Sequence, residues 1–227
     1  IASNASGTKL WIVKSNGEVN VYSSNGTLLG KWKANGVNQP QDIATDGTNI
    51  WIVDDATNKV FYFENGASRL SGNNVASTSN FSLSGDNKNP SGMVVRNGKL
   101  WVTGRKSAKN VKVFVYASAT GTLLGSWNLD DDNNDPSGIT LNPNGGTDMW
   151  VVDRHDGNVY HYAGATEWTT GLYSATASWN LSCENQHPEG IADPPPLVNP
   201  KTWVGASSGG LWSTPSNWSG GTVPSLS

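Results

Sequence analysis

The stretch Pro40-Gln41-Asp42-Ile43-Ala44-Thr45-Asp46-Gly47, followed closely by Ile50-Trp51-Ile52-Val53, decides the fold, because the chain repeats it. Pro90-Ser91-Gly92-Met93-Val94-Val95 leads into Leu100-Trp101-Val102, and Pro136-Ser137-Gly138-Ile139-Thr140-Leu141 leads into Met149-Trp150-Val151-Val152. Ile1-Ala2-Ser3 reads as the tail of the same element, ahead of Leu10-Trp11-Ile12-Val13. Pro188-Glu189-Gly190-Ile191-Ala192-Asp193 is a further copy near the end. The four Trp residues stand roughly 40, 50 and 49 residues apart, within the period of propeller blades.

Each Trp run is followed by a turn and an alternating strand: 18–22, 59–63, 111–116 and 158–162. Period-two alternation of β-branched and aromatic residues marks half-buried strands. A last strand ends three of the units on Trp32, Trp127 and Trp179, and Phe81 takes that place in the second. Four strands per repeat, joined by hairpin turns such as Asn16-Gly17 and Asp156-Gly157, specify a meander sheet, and radial repetition of such sheets makes a β-propeller. The predicted fold is all-β: four visible four-stranded blades and a C-terminal β extension. Trp11, Trp51, Trp101 and Trp150 are predicted to hold equivalent second-strand positions between adjacent sheets. Residues 188–193 supply a spare innermost strand that could pair with residues 9–32 and close a ring of four. The preferred expectation is different. The chain starts inside a strand, so further blades ahead of Ile1 are expected in the full protein, and 188–193 would pair with one of those.

Composition narrows the function classes. Charged residues make up 15% and hydrophobic residues 36% of the 227, with 26 Gly and 11 Trp against 2 Met. No apolar stripe of helical period runs through the chain, so a helical bundle is excluded. The net charge of −3 argues against a nucleic-acid partner. No apolar run approaches the ~18 residues of a membrane span. The single Cys183 can make no internal disulfide and reads as a small buried or half-buried thiol. Few Lys and much Gly, Asn, Ser and Thr suit a secreted β-rich surface protein, so an extracellular or cell-surface location is expected.

The recurring Pro-x-x-Ile-Ala…Gly-x-x-Trp-Val-x-Asp pattern of residues 1–194 resembles the six-bladed propellers of the NHL and SMP-30-like superfamily and their secreted bacterial relatives. That resemblance implies the fold and leaves the activity open. In SMP-30-like proteins it implies a central metal held by carboxylates and Asn on inner strands. The matching positions here are Asp42, Gly92, Gly138 and Gly190, mostly Gly, so a family-type metal hydrolase is not expected. Beyond residue 194 a second region is predicted, 195–227, entered through the stiff Pro194-Pro195-Pro196. Its Trp203–Pro224 segment, with Asn217-Trp218-Ser219-Gly220-Gly221, is similar to the entry into β-helical passenger regions of large autotransporter-like surface proteins.

Two sets of residues invite chemistry. The loop 130–135 offers hard oxygen donors, and Asp130, Asp132 and Asn134 are the candidate calcium ligands; without the Gly and distal Glu of an EF-hand loop, a solvated blade-connecting turn is the competing reading. His155, between Arg154 and Asp156, could serve as a base, whereas His161 between two Tyr reads as packing. No cofactor other than such a calcium is expected. The chain is therefore expected to be an extracellular structural or adhesive module that contacts proteins, glycans or neighbouring subunits, and not an enzyme. The alternative is a lyase or hydrolase with its site at the channel mouth. Convergent His, Asp, Glu or Arg side chains there discriminate the two.

Overall fold

The computed structural model describes residues 1–107, 110–185, 187–191, 214 and 217. The chain divides into two compact units, Ile1–Pro195 and Pro196–Ser227. Of the second unit, Asn217 donates its N–H to the Thr214 carbonyl at 3.1 Å. The rest of the Trp203–Pro224 segment, like Ala192 and Asp193, lies outside the described residues.

The first unit is a four-bladed β-propeller. Blade 1 comprises β1 (Ala2–Ser3), β2 (Lys9–Val13), β3 (Glu18–Ser23) and β4 (Leu28–Lys33). Blade 2 comprises β5 (Pro40–Thr45), β6 (Ile50–Asp54), β7 (Lys59–Phe63) and β8 (Ser79–Ser82). Blade 3 runs through β9 (Met93–Arg96), β10 (Lys99–Ser107), β11 (Asn110–Ala117) and β12 (Leu123–Asn128). Blade 4 follows with β13 (Pro136–Leu141), β14 (Met149–Asp153), β15 (Asn158–Tyr162) and β16 (Ala177–Asn180). Every sheet is an antiparallel meander in chain order.

The registers coincide from blade to blade. Trp11, Trp51, Trp101 and Trp150 oppose Ala2, Ala44, Val94 and Thr140 on the inner strand. On the third strand they oppose Val21, Tyr62, Val115 and His161. Trp32, Phe81, Trp127 and Trp179 likewise share one register, opposite Val19, Val60, Val113 and Val159.

Alternation along each strand sends successive side chains into opposite seams. In β6, Ile50 and Ile52 face back into the core with Trp11 and Trp32 of blade 1. Trp51 and Val53 face forward, into the core with Leu100, Val102 and Tyr116 of blade 3. All five β6 residues are buried, and the first four, Ile50–Val53, read as a continuous apolar run. The third seam packs Trp101 and Trp127 with Met149, Val151 and Tyr162 of blade 4. Each such side chain contributes about 1.5–3 kcal/mol of burial. Among the described residues no buried apolar cluster joins blade 4 to blade 1. Trp150 is accordingly half-buried, and its indole stacks on His161 with ring centroids 4.9 Å apart.

The alternative in which residues 188–193 pair with residues 9–32 and close a ring of four is corrected. The inner edge of β2 is already taken by β1, with Ala2 opposite Trp11. Residues 188–191 form no strand and lie instead against β13, where the Ser137 hydroxyl donates to the Pro188 carbonyl.

Blades also alternate in kind. After β7 and β15 the chain makes a 3₁₀ turn, Gly66–Ser68 and Ala165–Glu167, and then runs along the outer edge of the preceding blade. Lys31 and Lys33 donate N–H groups to Leu70 and Gly72 at 2.9 and 2.8 Å, and Asn128 donates to Gly171 at 2.8 Å. Blades 2 and 4 thus clasp blades 1 and 3, and the structural repeat is a pair of blades.

Candidate functional site

The heads of the repeat meet at one end of the propeller axis. The residue after each repeat proline, Gln41, Ser91, Ser137 and Glu189, lines a single cleft of about 180 Å³. The residue four beyond the second-strand Trp adds Asp55, Arg105 and Arg154, and Asn89 and Asp135 precede two of the prolines. The sequence reading missed these residues, although equivalence of repeat positions was the signal that could have found them.

Asp135 is the centre of the charge arrangement. Arg105 Nη1 reaches its Oδ1 at 2.7 Å, while Arg154 Nε and Nη2 reach Oδ2 at 3.2 and 3.1 Å. Arg154 Nη1 also lies 3.4 Å from Glu189 Oε1. The Asp135 N–H donates to Asp153 Oδ2 at 2.7 Å, so the site rests on a buried carboxylate below it. The other oxygen of Asp153 accepts the N–H groups of His155 and Asp156 at 2.7 and 3.2 Å, fixing the turn that carries Arg154. Asp54 does the same work in blade 2, accepting from Asn38, Gln39 and Thr57. Beside it, Asp55 has its carboxyl pushed up by burial and by the adjacent Asp54 charge. Burial opposes the charge on Arg154, but hydrogen bonding and attraction from Asp135 and Glu189 hold its guanidinium above the ordinary value.

The inner-strand positions show why Gly stands where a metal ligand would. A Cβ on Gly92 would lie 2.9 Å from Gly138 Cα, and one on Gly138 would lie 2.7 Å from Gly190 Cα. The strands converge too closely there for any side chain. Asp42 spends its carboxylate on the N–H groups of Ile43 and Met93, both at 2.8 Å. Burial pushes its carboxyl up, against the pull of the two donors.

The loop of Asp130, Asp132 and Asn134 joins β12 to β13, apart from the cleft. Asp130 accepts the N–H groups of Asp132 and Ala175 at 3.2 and 3.1 Å. Asn134 Nδ2 lies 3.4 Å from the Asp132 carbonyl. Among the described residues no three His, Cys, Asp or Glu side chains converge as a metal cluster. His155 is exposed, and His161 Nε2 lies 3.3 Å from Asp148 Oδ2 beneath Trp150. Cys183 is exposed, not buried or half-buried, because its turn lies beyond β16 on the outer edge of blade 4. No helix among the described residues is long and apolar enough to cross a membrane.

Neither a protein-family model nor a curated protein matches the sequence. Solved structures do match. Hydrazine synthase of Kuenenia stuttgartiensis is similar with a TM-score of 0.54 at 12% identity, over 80% of this chain and 48% of that one. Virginiamycin B lyase of Staphylococcus aureus gives 0.52 at 12% identity, over 82% and 56%. A chain of the mitotic checkpoint complex gives 0.51 at 9% identity, over 84% and 68%. The chain spans about half the length of the first two. At such identities the likeness is one of fold, and the fold is the β-propeller.

Proposed function

We propose that the chain is a non-catalytic structural or adhesive propeller module of a secreted or cell-surface protein, and that its axial cleft contacts a polar partner, a glycan or a protein loop. The observation that carries this reading is the state of Asp135. Two guanidiniums share its carboxylate, and Glu189 shares one of them, so Asp135 and Glu189 are engaged in ion pairs at blades 3 and 4, leaving Asp55 as the cleft's other carboxyl. A general base must reach a substrate proton through a free lone pair. What the cleft does present is a rim of amide, hydroxyl and guanidinium groups from Gln41, Asn89, Ser91 and Arg105. Groups of that kind suit the alternating donors and acceptors of sugar hydroxyls or backbone. The Gly-, Asn- and Ser-rich composition and the likeness of the tail to surface β-helix entries support the extracellular setting.

A second reading, a lyase or hydrolase with its site at this channel mouth, is favoured by the convergence of Arg105, Arg154, Asp135 and Glu189 in one cleft. One of the similar folds is also a lyase. Glycan-array and protein-overlay binding with the intact chain, beside Gln41→Ala and Asn89→Ala, separates the two. Binding that both substitutions weaken supports the module. Turnover of a lactone, ester or glycoside that Asp135→Asn abolishes would replace it with the enzyme.

A further inference from the structure

The axial cleft holds one carboxylate that the fold leaves without a partner, that of Asp55. We propose that the cleft takes an amino sugar with a free amine, and that Asp55 binds its ammonium group. The proposal rests on the cleft reading above and narrows it from polar ligands in general to one glycan class.

The argument comes from the repeat. Asp55, Arg105 and Arg154 hold the same position after the second-strand Trp of blades 2, 3 and 4. One kind of backbone bond seats the first and the last of them. The Asp55 N–H donates to the Gln39 carbonyl and the Arg154 N–H to the Asp135 carbonyl, both at 3.0 Å. Gln39 and Asp135 each stand just ahead of their repeat proline. Blade 4 thus sets a cation beside an acid, and the two pair at 3.1 Å. Blade 2 sets an acid beside an amide, which brings no charge to answer it.

The charges of the cleft lead to the same place. Arg105 and Arg154 are matched by Asp135 and Glu189. Asp55 is the charge left over, so the excess is negative and sits on a half-buried carboxylate. Among the described residues no side chain or N–H donates to that carboxylate. Its neighbour differs: Asp54 accepts from the Asn38 N–H at 2.8 Å and from the Thr57 N–H and hydroxyl at 3.0 and 2.7 Å. Burial and the Asp54 charge push the Asp55 carboxyl up, and no cation pulls it back. An ammonium entering the cleft supplies the missing charge and the missing donors on one nitrogen.

The rest of the lining favours a sugar over a lysine side chain. Among the described residues that line the cleft, Pro90 and Pro136 bring the apolar side chains, so a lysine stem would lie mostly against polar groups. Sugar hydroxyls find partners there. Asn89 donates its Nδ2 to the Arg105 carbonyl at 3.2 Å, which leaves its Oδ1 for a hydroxyl. Asp135 takes Nη1 of Arg105, which leaves the Nε and Nη2 edge as a donor pair. A metal ion is a poorer match, since among the described residues no three acidic, His or Cys side chains converge on it.

Calorimetric titration of the intact chain with the tetramer of glucosamine and the tetramer of N-acetylglucosamine tests this, at mildly acidic pH where the free amine is protonated. The glucosamine tetramer should bind about tenfold tighter, as a charge-assisted hydrogen bond demands. Asp55→Asn keeps the shape of the side chain and should erase that preference, with affinity for the acetylated tetramer and circular dichroism unchanged. Asp131→Asn removes the same charge from the exposed loop 130–135 and should leave the preference intact. Equal binding of the two tetramers would overturn the inference. So would a preference that survives Asp55→Asn, or one that Asp131→Asn also removes, since net charge alone would then explain it. Failure of both tetramers, or an Asp55-dependent lysine peptide that binds where they do not, would remove the amino sugar as occupant. None of these touches the cleft reading, which stands or falls on whether any ligand is weakened by Gln41→Ala and Asn89→Ala.

Discussion

The Leu70 carbonyl oxygen of blade 2 rests against the Cα of Gly30 in blade 1, so close that a Cβ on Gly30 would fall on it. Gly125 meets the Thr169 carbonyl in the same way where blade 4 clasps blade 3. Two Leu-Leu-Gly-x-Trp strands therefore need Gly for one reason, an incoming backbone that forms ladder bonds along the fourth strand. Gly30→Ala or Gly125→Ala should lower stability in urea denaturation by about 1–3 kcal/mol through overpacking. Gly85→Ala, with nothing within 4 Å of the added carbon, is the control and should be neutral.

The buried carboxylate of Asp153 is expected to matter more to folding than any charge in the cleft above it. It satisfies the N–H groups of Asp135, His155 and Asp156, and it is fully buried. Asp153→Ala leaves those three donors without their acceptor, each costing about 1–3 kcal/mol where water cannot replace it. The variant should be destabilised by ~3 kcal/mol or more in the same denaturation experiment. Asp54→Ala should behave alike, for the equivalent turn of blade 2.

How much of this was legible follows from what repeats. The strands and their registers could be read because a four-stranded blade prints its alternation into sequence, as Glu18-Val19-Asn20-Val21-Tyr22 and Asn158-Val159-Tyr160-His161-Tyr162 show. The cleft was harder, because Gln41, Ser91, Ser137 and Glu189 share a position but no common chemistry: an amide, two hydroxyls and a carboxylate. Only the radial arrangement turns one repeat position into one site. The inner-strand glycines could be seen in the sequence, but their cause could not, since the Gly92–Gly138 approach is a distance between blades. Pro188–Ile191 has the sequence of an inner strand, and the sequence alone could not say that β1 already occupies the β2 edge that a closed ring of four would have it fill.

Alkaline pH should unfold the propeller through its tyrosines. Burial pushes the phenols of Tyr116, Tyr160 and Tyr162 up, and the nearby Asp156 carboxylate adds to it at Tyr160. A value raised in the fold means stability fully present below the unfolded phenol's ~10 and lost as pH climbs toward the folded value. Ultraviolet titration should show these phenols ionising together with the loss of circular dichroism. Tyr162→Phe should be less stable than wild type at neutral pH, since it loses the bonds from Asp130 and Asn133. It should then lose less stability than wild type between about pH 10 and 12.

The four repeat tryptophans are equivalent in register and should be unequal in energy. Trp101 is 2% exposed inside the seam of blades 3 and 4, so Trp101→Ala should cost about 3–5 kcal/mol. Trp51 is 3% exposed and adds a hydrogen bond, its Nε1 donating to the Ser118 carbonyl of blade 3 at 3.1 Å, so its truncation should cost at least as much. Among the described residues Trp150 faces no following blade, and its indole stacks on the ring of His161. Trp150→Ala should therefore cost roughly half the Trp101 figure, about 1.5–2.5 kcal/mol, when measured in dilute protein. Equal costs in dilute monomer would show that Trp150 is already covered within one chain.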